Sequence, residues 1–246
     1  MLKNKSALIT GANRGIGFSI LKRLAENGAN IIACARKQDD LFEKEISNIS
    51  KKFNIKIKPI YFDLSNENEI EQGSKKIISL NWIIDIIVNN AGINHVALFQ
   101  MTSIKKMREI FNINFFSQIL LTQKLLNIMI KNKKGSIINI SSNAAVECDA
   151  GRSGYSPSKA ALIAWTKVLS KELGNFNIRV NAVSPGLTNT DMMKKDLSRK
   201  VIEDAIKRVP LKRAADPDEI AKVVLFLASD LSSYVNGEVI SVTGGY

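Results

Sequence analysis

Tyr155 and Lys159 stand four positions apart in the stretch YSPSK. If that stretch is helical, residues i and i+4 share a face, so the phenol and the ammonium project side by side. A nearby ammonium favours the phenolate and draws the tyrosine pKa down from about 10, which would make a usable general acid or base. An ordinary helix start in a lysine-rich chain would read the same way, so the pair needs a cofactor site and a substrate site near it. A second stretch offers the first of these. ALITGANRGIG leads from an apolar run into a turn containing Gly11, Gly15 and Gly17 and then into a helical pattern. Glycines let backbone approach a ligand closely, and a helix N-terminus directs unpaired N–H groups and a positive dipole end at an anion. The spacing is G-x-x-x-G-x-G rather than the G-x-G-x-x-G dinucleotide fingerprint. Arg36 ends the next apolar run, NIIACA, 19 residues after Gly17. An acidic residue there would bind a ribose 2′-hydroxyl and favour NAD; a guanidinium pairs instead with a 2′-phosphate, with Arg14 in reach of the same group. The cofactor expected from this chemistry is NADP (NADPH).

The elements that must hold these groups are legible as alternation. Seven β-rich runs, SALIT, NIIACA, IKIKPIYF, IIDIIVN, GSIINIS, IRVNAVS and EVISVT, are separated by helix-length segments such as IGFSILKRLAENG and AALIAWTKVLSKELG. Apolar strands joined by helices predict an α/β fold with a parallel sheet covered on both faces. No linker or repeat divides the 246 residues, so residues 1–246 read as a single doubly wound Rossmann domain of about seven strands. Gly28 and Gly174 are placed as helix C-caps. Between SPG (184–186) and the last run, about 50 residues are helical in pattern but broken by VPLKRAADPDE. Their position after a strand's carboxyl end marks a substrate lid near 187–214, rich in Lys and Met and expected to be mobile without ligand.

Composition narrows the partners. The 35 basic and 23 acidic residues give a net charge of +12, spread along the chain with no basic run interleaved with aromatics, so no nucleic-acid partner is expected. No apolar run spans a bilayer and the N-terminus carries no signal-like segment; a cytoplasmic protein with no membrane partner is expected. Cys34 and Cys148 read as free thiols, without the spacing of a zinc site, and no metal is expected.

With TGANRGIG at one end and YSPSK at the other, the sequence resembles the short-chain dehydrogenase/reductase family over its whole length. NNAG (89–92), FNINFF (111–116), NISS (139–142), SPGLTNTDM (184–192) and VTGG (242–245) fall in the family's order. The resemblance implies a catalytic set of Asn114, Ser142, Tyr155 and Lys159. Tyr155 would be the acid for carbonyl reduction and Ser142 would hydrogen-bond the substrate oxygen. Lys159 would also hold the nicotinamide ribose, and Asn114 would place a water linking Lys159 to solvent. For the cofactor it implies Gly11, Asn13, Arg14, Gly15, Ile16 and Gly17 at the phosphates, Arg36 at the adenosine end, Asp63 and Leu64 beside the adenine, and Asn89, Asn90, Ala91 and Gly92 along the ribose. Tyr155, Lys159, Pro185, Gly186, Thr188 and Thr190 would line the nicotinamide end. His95, the only histidine, is expected near the site mouth in a surface or substrate-lining role, and Trp165 in core or interface.

Within the family the chain is most similar to β-ketoacyl-acyl-carrier-protein reductases, which implies a 3-oxoacyl thioester substrate, an acidic carrier protein and a homotetramer, or a dimer. Lys133 occupies one carrier-docking position; the second is Phe176 rather than a basic residue. INHVALFQMT and NAAVECDAGRSG also depart from those reductases, which keeps open the same chemistry on a sugar, polyol or other biosynthetic ketone or alcohol. A non-catalytic NADP-binding sensor is the remaining reading. Long helices from about 103 and about 155 are expected at a dimer face, and the terminal GGY at a second interface.

Overall fold

A computed structural model describes residues 1–196 and 198–246. The strands are β1 (Ser6–Thr10), β2 (Asn30–Ala35), β3 (Ile57–Tyr61), β4 (Ile86–Asn89), β5 (Gly135–Ile140), β6 (Ile178–Pro185) and β7 (Val239–Val242). They form one sheet in the order β3-β2-β1-β4-β5-β6-β7, and every pairing is parallel. The order reverses between β1 and β4, which opens a crevice at the carboxyl ends of the strands. Pro59 is accommodated because β3 is an edge strand.

The central strands are covered on both faces because they are apolar on both; the edge strands β3 and β7 are only partly buried. Ala7, Ile9, Ile31 and Ala33 point to one side and join α1 (Gly15–Glu26), α2 (Asp40–Phe53) and α10 (Pro217–Ala228) in one cluster. Leu8, Ile32, Ile87 and Ile137 point to the other, against α3 (Glu67–Ser79), α5 (Ser117–Asn132) and α7 (Tyr155–Leu173). Each fully buried Leu or Ile contributes about 2 kcal/mol by leaving water. Two shorter helices, α4 (Ile104–Phe111) and α6 (Ala144–Glu147), follow the strands that lead into the crevice. A single π-turn over Asn112–Phe116 joins α4 to α5 without a break, a feature the periodicity did not reveal.

Gly28 follows α1 in the left-handed region, as expected of a C-cap. Gly174 caps α7 but keeps right-handed geometry; a short 3₁₀ turn follows, and Asn177, at φ +56°, makes the left-handed exit. Asparagine tolerates that region because its amide can bond locally. Cys34 is buried and Cys148 exposed, both as free thiols. Among the described residues, no helix is long and apolar enough to cross a membrane.

The excursion after β6 forms α8 (Asp191–Asp196) and α9 (Arg199–Arg208), neither with a fully buried residue; position 197 of the expected lid lies outside the described residues. The anchors lie at its ends: Thr188 bridges to Ala215, Val209 is buried, and Leu211 N donates to Gly244 O at 3.2 Å. The terminal glycines pack on the lid of their own chain. With so little burial, α8 and α9 should open locally at low cost. Amide exchange across 191–208 is expected to be fast in the free protein and at least about tenfold slower with NADPH added, measured by mass spectrometry; equal rates would show that the segment is already fixed.

Candidate active site

The crevice at the strand ends is a cleft of about 680 Å³. Its floor is the glycine turn. Gly11 and Gly15 take φ of +64° and +53°, and a Cβ at Gly17 would collide with the Gly11 carbonyl. The helix α1 starts at Arg14 with no side-chain cap and no acidic residue in its first turn, so its N–H groups remain available to an anion. These features fit a pyrophosphate. Arg14 and Arg36 are both exposed on the cleft wall; Arg36 directly follows β2, and Asp39 and Asp40 beyond it do not line the cleft.

Gly11, Asn13, Arg14, Gly15, Ile16, Gly17, Arg36, Asp63, Leu64, Asn90, Ala91, Gly92, Ser142, Tyr155, Lys159, Pro185, Gly186, Thr188 and Thr190 all line this one cleft. Asn114 stands behind it, fully buried. Its Oδ1 accepts from Ile93 N at 2.8 Å, and its Nδ2 donates to Ile93 O and Ser158 Oγ, both at 3.0 Å. The π-turn places Asn114 there. A Cβ at Gly92 would meet both Asn114 Oδ1, at 3.1 Å, and Lys159 Nζ, at 3.3 Å, so only glycine leaves this point open. Asn89 departs from expectation. It is buried, and its Nδ2 donates to Thr122 Oγ1 and Asn139 Oδ1, joining strand to helix rather than lining the cleft. His95 pairs with Thr102 Oγ1 at 3.3 Å, outside the lining residues. Trp165 packs edge-on against Phe115 beside the core.

Lys159 is buried within α7, and its Nζ donates to Ile140 O at 2.8 Å. Ser141 Oγ donates back to Lys159 O at 2.9 Å. This double clasp fixes the end of β5 to α7, with Ser142 and Tyr155 on either side of it. Burial pushes the Lys159 pKa down to about 8. The Tyr155 phenol is shifted in the direction opposite to the sequence expectation. Burial raises it above its ordinary value, and hydrogen bonding from Ser142 and the charge of Arg152 offset only part of that rise. Lys159 Nζ lies 6.0 Å from the ring centroid and is engaged by the Ile140 carbonyl.

Several working residues were not identified from sequence. Thr10 Oγ1 accepts from Asn90 N and Ala91 N at 2.9 and 3.0 Å, and Gln118 Nε2 donates to Ala91 O at 3.0 Å. Together they hold the NNAG turn against the glycine loop. From the lid, Val201, Ala205 and Arg208 face the cleft at i, i+4 and i+7, a helical spacing that could have flagged them. Asn143, Glu147, Asp149 and Arg152 line its substrate end, as expected of NAAVECDAGRSG.

A family profile described as "Enoyl-(Acyl carrier protein) reductase" matches residues 11–246. The 3-oxoacyl-[acyl-carrier-protein] reductase FabG of Aquifex aeolicus is 40% identical over 99% of this chain and 98% of its own. A 3alpha-hydroxysteroid dehydrogenase of Mediterraneibacter gnavus is 37% identical over 99% and 97%. A solved structure described as a short chain dehydrogenase/reductase family protein aligns with a TM-score of 0.87 at 31% identity, covering 99% of this chain and 97% of that one.

The depressed Lys159 pKa has a thermodynamic consequence. Between about pH 8 and about pH 10 the unfolded chain holds a proton on this lysine that the folded chain has released, so stability due to Lys159 rises with pH across that window. Denaturant unfolding at both ends of the window should show the wild type gaining on Lys159→Met as pH rises; parallel behaviour would mean that the amine is not desolvated.

Proposed function

The chain belongs to the short-chain dehydrogenase/reductase family of oxidoreductases, and we propose that it reduces the ketone of a 3-oxoacyl thioester to a secondary alcohol with NADPH. The observation that carries this reading is the meeting of Ser142, Tyr155 and Lys159 at one end of a cleft whose other end is an uncapped, glycine-lined helix N-terminus. When bound, the cofactor supplies the hydride that the carbonyl carbon receives.

The chain's own groups handle the proton and the charge. Tyr155 Oη gives its proton to the ketone oxygen, and its raised pKa keeps that proton in place at neutral pH. Ser142 Oγ donates a hydrogen bond to the same oxygen and stabilises the charge that develops there. Lys159, with a pKa of about 8, can pass a proton to the tyrosine without a large energetic step. Asn114 Oδ1 spends one lone pair on Ile93 N; the other can hold the water that connects Lys159 to solvent. Arg36 and Arg14 receive the 2′-phosphate.

The choice of a 3-oxoacyl thioester rests on the Aquifex aeolicus relative, similar along the entire chain. The family profile's description names an enoyl reductase, but a tyrosine acid opposite a serine hydroxyl suits an oxygen acceptor better than a carbon–carbon double bond. For an acyl-carrier-protein-bound substrate, Lys133 is exposed at the end of α5 beside Lys131 and Lys134, a basic corner for an acidic carrier. Phe176, 37% exposed, would give its docking edge an apolar contact instead of a charge. The same reading takes a cytoplasmic homotetramer, or a dimer, as the working form; Phe116 and Val168, exposed at 56% and 53%, lie on the two long helical segments expected to pair. The steroid dehydrogenase relative and the polar Glu147, Asp149 and Arg152 lining favour, as a second reading, the same chemistry on another ketone or alcohol.

The test is loss of reduced-nicotinamide absorbance with acetoacetyl-coenzyme A, run with NADPH and NADH in parallel. Turnover with NADPH well above NADH is expected, with Arg36→Asp reversing the preference. Tyr155→Phe should lower kcat by about a hundredfold or more. Equal rates with both cofactors would remove the 2′-phosphate assignment, and no turnover despite NADPH binding would favour a non-thioester carbonyl.

A further inference from the structure

Three side chains without a proton-transfer role in the chemistry above form a chain that begins beside the Tyr155 ring. Arg152 stands in the loop that leads into α7, and its guanidinium carbon lies 5.7 Å from the Tyr155 ring centroid. Its Nη1 donates to Asn94 Oδ1 at 3.3 Å. Asn94 Nδ2 in turn donates to Asp196 Oδ2 at 3.1 Å. A single amide from the loop after β4 therefore joins a cation on the tyrosine's loop to a carboxylate at the end of lid helix α8. Arg152 and Asn94 both line the cleft.

The two charges act on the phenol with opposite sign: Arg152 favours the phenolate and Asp196 disfavours it. The other charged groups of the neighbourhood are Lys159 from α7, Glu147 from α6, Asp149 in the loop that follows, Asp191 at the start of α8, and Arg208 from α9. Lys159 is engaged by Ile140 O, and Arg152 and Asp196 are the charges that move the phenol's acidity.

We propose that Arg152, Asn94 and Asp196 form a polar chain that sets the acidity of Tyr155 according to the position of the lid. Arg152 is a positioning residue that supports the phenolate from the substrate side. Asp196 arrives with α8, is held by Asn94 and opposes that support. With the lid closed, the proton stays on Tyr155, ready for delivery to a carbonyl oxygen. With α8 displaced, Arg152 acts alone and the phenol ionises more readily. The functional meaning rests on Tyr155 being the acid of the proposed reduction, whereas the electrostatic coupling can be measured without any substrate.

The experiment is a spectrophotometric titration of Tyr155 in the full chain, read as near-ultraviolet phenolate absorbance after subtraction of the Tyr155→Phe protein. Arg152→Gln should move the titration to higher pH, Arg152→Lys should return it most of the way, and Asp196→Asn should move it to lower pH. Titrations that do not move, or that move in the same direction for both charge removals, would overturn the proposal. The ascending limb of kcat/KM for alcohol oxidation should follow the same shifts, because the phenolate is the base in that direction. A rise in KM for Arg152→Gln with the limb and the titration unmoved would assign Arg152 to substrate binding and overturn it as well. Opposite titration shifts without any turnover of acetoacetyl-coenzyme A would leave the chain standing and count only against the thioester reading.

Discussion

The clasp between the end of β5 and α7 is the interaction on which the proposed catalytic end depends. Lys159 Nζ donates to Ile140 O while Ser141 Oγ donates to Lys159 O, so one helical residue and two strand-end residues satisfy one another. Charge-assisted bonds of this kind are strong when dry, and an unpaired partner would be costly to leave behind. Strand β5 is a central strand and α7 is the longest helix, so both sides of the clasp are rigid. Ser142 follows Ser141, and Tyr155 lies one turn before Lys159. The distance between hydroxyl and phenol is thereby inherited from the sheet and the helix rather than from a loop, which suits a site needing tight placement.

Burying that lysine has an electrostatic price that the site turns to use. Desolvation lowers Lys159 to about 8 and raises Tyr155 above its ordinary value, so the two groups, close in acidity when solvated, move apart. In the proposed reduction a proton on Lys159 then moves downhill to the Tyr155 phenolate and reloads the acid, whereas the reverse transfer is uphill. The simple picture of an ammonium beside a phenol, each solvated, would give a lower tyrosine pKa. It fails here because the ammonium is committed to a backbone carbonyl and both groups are largely out of water.

The parts of this arrangement that were legible in the sequence are those encoded locally. Seven strand runs, the glycine turn, the pairing of Tyr155 with Lys159 and the guanidinium after β2 depend on a few adjacent residues, and the structure places them together in one cleft. Other features depend on contacts far apart in the chain. The π-turn delivers Asn114 to both the N–H and the C=O of Ile93 and to Ser158, 44 positions on. Asn89 looks like a neighbour of Asn90 in sequence, yet strand alternation turns it inward to Thr122 and Asn139. The role of Thr10 and Gln118 in holding the NNAG turn has no local signature, since each is an ordinary polar residue until the fold brings it to Asn90 and Ala91. The direction of the Tyr155 shift belongs to the same class, because burial is a property of the whole fold.

That division between local and distant encoding also separates the two ends of the cleft. The cofactor end is built largely from backbone: N–H groups of the first turn of α1, glycines that keep Cβ atoms away, and the carboxyl ends of β1 and β4. Such a surface tolerates sequence change, provided that the glycines and the strand order persist. The substrate end is built from side chains on separate segments: Asn94 after β4, Glu147 and Arg152 after β5, and Val201 and Arg208 on the lid. No sheet contact fixes these residues, so each can change without loss of the fold, and the chemistry that selects a substrate can diverge while hydride transfer is retained. Relatives similar along their whole length can therefore bear names as different as an acyl-carrier-protein reductase and a hydroxysteroid dehydrogenase. In this chain Arg152 and Arg208 line the substrate end together with Asn94, Asn143, Glu147 and Asp149, which favours a ligand with polar atoms over a bare hydrocarbon.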